Sequence, residues 1–119
     1  TRESVLQQAA DDLDLLRELV VSMRETAERQ WTLIEQGLKD GDNQTIYQAA
    51  HALKGALGLV GDNPACRLAA RLEHKAKTAS TDALHEDGES LQKAITSLFI
   101  SLCDFADMPD KSAVAPLSN

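Results

Sequence analysis

Aromatic side chains are scarce in this chain, with one Trp, one Tyr and two Phe among 119 residues. Its core must therefore be mostly aliphatic, and Leu and Ala dominate. Runs of Val, Ile and Thr with alternating polarity are missing, which leaves strands little support. No apolar run approaches the roughly 20 residues that cross a bilayer, and no basic-then-apolar signal start is present. A soluble protein without direct membrane contact is expected. An excess of positive charge is lacking too. At a formal net charge of -7, nucleic acid is not an expected partner, because binding phosphates needs a basic surface that displaces counterions. Cys66 and Cys103 have no repeated spacing, which fits reduced core thiols better than a disulfide framework. No Gly-rich phosphate loop or nucleotide-binding signature occurs, so no intrinsic kinase activity is expected. His74 and His85 have no motif around them, and no metal site is expected.

What is present is helical periodicity over one domain's length of chain. Thr1 to Ala10 has room for a short first helix, with Asp11 or Asp12 available to cap the next. Leu13, Leu16, Val20, Met23, Ala27, Trp31, Ile34 and Leu38 then recur at three- and four-residue steps, the stripe of a long amphipathic helix. Lys39 to Asn43 is a turn cluster in which Gly41 stops one helix and Asp42 or Asn43 starts another. Asn63 and Pro64 restart the chain after a helix ending near Gly61, and Ala65, Leu68, Ala69, Leu72 and Ala76 form the next buried stripe. After a break at Thr78 to Asp82, the residues Leu84, Leu91, Ile95, Leu98, Leu102 and Phe105 mark the last long helix. Gly88 lies on that stripe and permits a close crossing. The chain reads as all-α, an antiparallel four-helix bundle over residues 1–108 with a short extra N-terminal helix, followed by a tail, 109–119, expected to be disordered.

The chemistry concentrates in Ala50 to Gly61, where glycines interrupt what otherwise reads as a helix. Each interior glycine costs about 0.5–1 kcal/mol relative to alanine. At about 100° per residue, Gly55 and Gly58 fall within roughly 40° of the direction of His51, so the cleared face is the histidine's own. Gln44, Gln48 and Lys54 flank it, whereas Ala49, Leu53, Ala56, Leu57 and Val60 gather opposite. The helix thus has a core face and a presentation face, and a partner can approach the imidazole closely.

His51, Leu53, Lys54, Gly55 and Gly61 form a pattern that resembles the histidine phosphotransfer (HPt) domain of bacterial phosphorelays. The likeness extends through Ala65 to Lys77, where the spacing of Leu68, Leu72 and Glu73 is similar to the family's second bundle hairpin. Two departures are Ala56 and Leu57, where family members often place small polar residues.

The resemblance implies that His51 accepts a phosphoryl group from one response-regulator receiver aspartate and passes it to another, with Lys54 offsetting the added charge. Mg²⁺ would come from the receiver. It also implies a monomeric, cytoplasmic module, either free-standing or the C-terminal HPt module of a hybrid sensor histidine kinase, in which case it is the cytoplasmic part of a membrane-bound protein. Arg67, Arg71, His74 and Lys75 lie along one side of their helix as a basic surface able to steer an acidic receiver. Leu59, Ala52 and Tyr47 offer apolar docking contacts, with Gln44, Gln48, Gly55 and Gly58 around them. The competing reading is an HPt-like adaptor that binds a partner without accepting phosphate. A kinase dimerisation helix pair is a weaker third, because Ala52 follows His51 where an acidic residue is required.

Overall fold

The computed structural model describes residues 12–108. Within them run four α-helices: α1 (Leu13–Asp40), α2 (Asn43–Leu57), α3 (Pro64–Lys75) and α4 (His85–Phe105). Short 3-10 turns at Gly58–Val60 and Thr81–Leu84 precede α3 and α4. The expected all-α bundle is the fold observed. The expected helix over residues 1–10 and the tail at 109–119 lie outside the described residues. Among those described, no helix is long and apolar enough to cross a membrane.

Each boundary has a local cause. The Asp12 side chain accepts the Leu15 N–H at 3.1 Å and starts α1. Gly41 ends that helix at φ 70°, a left-handed conformation that glycine adopts without penalty. Asp42 then caps α2, accepting from the Thr45 N–H at 3.1 Å and the Thr45 hydroxyl at 2.6 Å. The Thr45 hydroxyl, and after it the Thr45 N–H, hold the Asp42 carboxyl below its ordinary 3.8. Pro64 opens α3, where its missing N–H is harmless.

Two asparagines lock α2 against α3. Asn63 accepts the Cys66 N–H at 2.9 Å and donates its amide to the carbonyls of Leu57 at 2.9 Å and Gly61 at 3.0 Å. At the far end Asn43 donates to Ala76 at 3.2 Å and Ala79 at 2.7 Å, and accepts from the Thr81 hydroxyl. The start of each helix is thereby tied to the end of the other. That is the antiparallel hairpin expected, and its register sets the middle of α3 beside the middle of α2.

Glycines set the closest crossings. A Cβ on Gly37 would lie 2.7 Å from Ile46 Cγ1 and 3.0 Å from the Asp42 carbonyl, so α1 rests its backbone on the start of α2. A Cβ on Gly88 would lie 3.0 Å from Leu38 Cδ1, which is the close crossing expected of α4. At the opposite end Arg17 donates to the carbonyls of Ala106 at 3.0 Å and Asp107 at 2.9 Å, fastening α4 to α1.

The core is aliphatic, as the shortage of aromatics requires, with Trp31 and Phe99 its two large rings. Some expected stripe positions are corrected. Leu13 is 41 % exposed and Phe105 57 % exposed, whereas Phe99, Cys103 and Ala106 are fully buried. Leu98 is only partly buried. On α2 the buried face is Ile46, Ala49, Ala50, Leu53 and Leu57, with Ala56 and Val60 at its margin. Cys66 and Cys103 are buried free thiols, as expected.

Candidate functional site

His51 stands on the outer face of α2, its side chain 64 % exposed. Its ring is nevertheless not free. Nδ1 lies 2.7 Å from Oε2 of Glu73 on α3, while Oε1 of the same carboxylate lies 2.6 Å from the Lys54 ammonium. One carboxylate therefore holds both the histidine and the lysine that follows it by one turn.

Glu73 is a buried residue, and burial alone pushes its carboxyl up. The hydrogen bonds from Lys54 and then His51, together with their charges, outweigh that effect, and the carboxyl titrates below its ordinary 4.5. Near neutral pH it is an anion, which can only accept hydrogen bonds. The His51 nitrogen facing it must then carry the proton. In the neutral ring that leaves the lone pair on Nε2, the nitrogen not engaged by Glu73. The arrangement is an exposed imidazole with a fixed tautomer, a carboxylate behind it and an ammonium beside it.

Glu73, which touches both His51 and Lys54, enters the sequence pattern only as part of a hairpin spacing. The signal was nonetheless present. Glu73 lies at the edge of the buried face of α3, about 40° from Ala69. A carboxylate in such a stripe needs a partner, because an unpaired buried charge is expensive.

The other expected site residues divide. Gln44 and Gln48 are exposed on the histidine's side of α2, and Gly55 is open, with nothing within 4 Å of where a Cβ would stand. Gly58 is different. The α-helix stops at Leu57, and Gly58 begins the 3-10 turn as a buried residue. The start of α3 closes over this end of α2, with Asn63 bonded to the Leu57 carbonyl and the Cys66 thiol 3.5 Å from the Lys54 carbonyl. Gly58 therefore permits packing and is not an access residue. Gly61 ends the turn at φ 93°, as a helix stop should. Leu59 is 37 % exposed beside it.

The basic face of α3 is partly neutralised. Lys75 lies 2.6 Å from Asp87 of α4, Arg71 lies 3.7 Å from the same carboxylate, and Arg67 pairs with Asp62 at 2.8 Å. Arg67 and Arg71 remain exposed, but their charge reaches a partner diminished. Lys77 sits over the Tyr47 ring at 5.4 Å, so Tyr47 belongs to the α2–α3 seam. Among the described residues no group of three or more His, Cys, Asp or Glu side chains could hold a metal ion.

Compared with known proteins, the chain matches a family model described as the Hpt domain over residues 2–100. No curated protein and no solved structure matches it.

Proposed function

The chain belongs to the Hpt domain family, whose members carry phosphoryl groups on histidine between response-regulator receivers in phosphorelays, and from that premise we propose that His51 is the phospho-acceptor. The observation that supports this most is the Glu73 contact with Nδ1, which leaves Nε2 with its lone pair on an exposed ring.

The step runs as follows. The Nε2 lone pair attacks the phosphorus of a receiver's aspartyl phosphate. The N–P bond forms as the P–O bond to that carboxylate breaks, and the electron pair leaves on the receiver aspartate. Positive charge developing on the ring is met by Glu73, which keeps the Nδ1 proton in its hydrogen bond. Lys54, released from Glu73 or shared with it, offsets the charge of the incoming phosphoryl group. Passage to a second receiver is the same step in reverse, with the N–P bond breaking. The domain contributes position and charge, and phosphoryl transfer asks for little more. Mg²⁺ is supplied by the receiver, whose acidic pocket is the complementary half of the site.

The test is incubation of the domain with phosphorylated receivers and Mg²⁺. Acid-labile, base-stable phosphate is expected on the wild type and not on His51→Gln. Receiver binding without label would instead favour the adaptor.

A further inference from the structure

Glu73 reaches His51 from α3, so the aim of its carboxylate depends on how α3 is turned about its own axis. Toward α2 that helix is tied at both ends, by Asn63 at its start and by Asn43 just past its finish. These end ties fix its place along α2. They resist a roll about the helix axis much less, and the core stripe of α3 adds little, because Ala65, Ala69 and Ala76 give the neighbouring helices only short side chains to grip.

The roll is held from the other side, by α4. There Asp87, its side chain only 13 % exposed, meets Lys75 Nζ at 2.6 Å and Arg71 Nε at 3.7 Å. The two cations stand two residues before and two residues after Glu73, so at about 100° per residue each lies roughly 160° around α3 from it. The clamp therefore grips α3 on the side opposite the carboxylate. A carboxylate as enclosed as Asp87 is costly to leave without its partner, which keeps the clamp shut.

The margin at the ring is narrow. Glu73 Oε2 lies 2.7 Å from Nδ1, and a separation of about 3.6 Å is no longer a hydrogen bond. With side chains reaching about 5–6 Å from the helix axis, a roll of about 10° carries the carboxylate through about 1 Å. A small turn of α3 is enough to release the ring.

Resting on the reading of His51 as acceptor, we propose that Asp87 is a positioning residue for phosphoryl transfer. By holding Lys75 and Arg71 it sets the roll of α3, and through that roll the Glu73 contact that keeps the proton on Nδ1. Asp87 does not touch the ring, and its effect on transfer passes through Glu73.

The test uses Asp87→Asn, which keeps the shape of the side chain and removes its charge, and Lys75→Met, which keeps the apolar stem. The two open one contact from opposite sides, so either one that folds carries the test. Arg17→Ala is the control, because it frees α4 from α1 at the far end of the bundle, where its partners are the carbonyls of Ala106 and Asp107. Ring ¹⁵N shifts of His51 in the resting domain report the tautomer. Labelling by phosphoramidate, a small N–P donor, reports the rate with no receiver present for the freed cations to attract.

Asp87→Asn and Lys75→Met are both expected to move the Nε2 shift from its wild-type value toward that of Glu73→Ala. Labelling should slow by about three- to tenfold, less than the 10–100-fold cost of losing the orienting group itself. The double variant should do no more than either single change, since the two share one contact. Arg17→Ala should leave the ring shifts unchanged and labelling within about twofold of wild type. Wild-type ring shifts in the folded clamp variants, an equal displacement in Arg17→Ala, or additive displacements in the double variant would overturn the role of Asp87 and leave His51 as acceptor. A wild type that phosphoramidate leaves unlabelled at His51 would instead overturn the acceptor reading, and the role of Asp87 in transfer with it, whatever the ring shifts show.

Discussion

Replacing Glu73 with alanine will slow phosphoryl transfer onto His51 by about 10–100-fold, the usual cost of removing the group that orients a reactive histidine. Without the carboxylate the ring loses its fixed tautomer, and Nε2 carries the lone pair only part of the time. The charge that forms on the ring also loses its counter-ion. Stability will move much less, by under about 2 kcal/mol. His51 and Lys54 are left able to reach water, with side chains 64 % and 33 % exposed, and the cost of burying the carboxylate disappears with it. Glu73→Gln will fall between wild type and alanine, since its amide oxygen still accepts from Nδ1 while the ion pair with Lys54 is gone. A structural role alone would place the two variants in order of stability and not of rate.

The same residue gives a signed pH dependence. The folded carboxyl titrates below 4.5, so between its folded and ordinary values the unfolded chain binds more protons. The stability it contributes is complete above the ordinary value and is lost as pH falls through the folded one. Denaturant midpoints measured down that range should fall less steeply in Glu73→Gln than in wild type.

Phe99→Ala will destabilise the bundle by about 3–5 kcal/mol, a large part of the stability of a domain this size. The ring is fully buried, and its removal leaves a cavity in a core with few other aromatics to refill it. Phe105→Ala, on a ring 57 % exposed, will change stability by no more than about 0.5 kcal/mol. Thermal or urea unfolding of the two variants separates them directly. Comparable losses at both positions would mean that the register of α4 is wrong.

In that register the three- and four-residue period of the sequence is legible, but its step alone is too coarse to fix the buried face. Steps of three and four residues from Leu91 pass equally well through Leu98 and Phe105 or through Phe99 and Ala106. The angle distinguishes them. Measured from Gly88, which the crossing with Leu38 fixes to the core side, Phe99 lies about 20° away, Leu98 about 80° and Phe105 about 100°. The caps were legible because each depends on one side chain and its next neighbours. Asp12, Asp42, Gly41, Asn63 and Pro64 act where their types predict.

His51, Lys54 and Gly55 were legible for a similar reason, since they share one helix and its period. Glu73 was not placed at the site because its partners lie on another helix, and the α2–α3 register depends on Asn43 and Asn63 reaching across the turn. Gly58 failed in the opposite sense. Periodicity assigned it to the open face, but α2 ends one residue earlier and the start of α3 covers it.

If His51 is the acceptor, Glu73 holds the proton on Nδ1 and so directs chemistry to Nε2. Long-range ¹H–¹⁵N correlation spectra of the ring, recorded before and after phosphorylation, test it most directly. A protonated Nδ1 and a lone pair on Nε2 are expected in the resting domain, then a phosphoryl group on Nε2 with Nδ1 still protonated. A phosphoryl group on Nδ1, or on any residue other than His51, would contradict it.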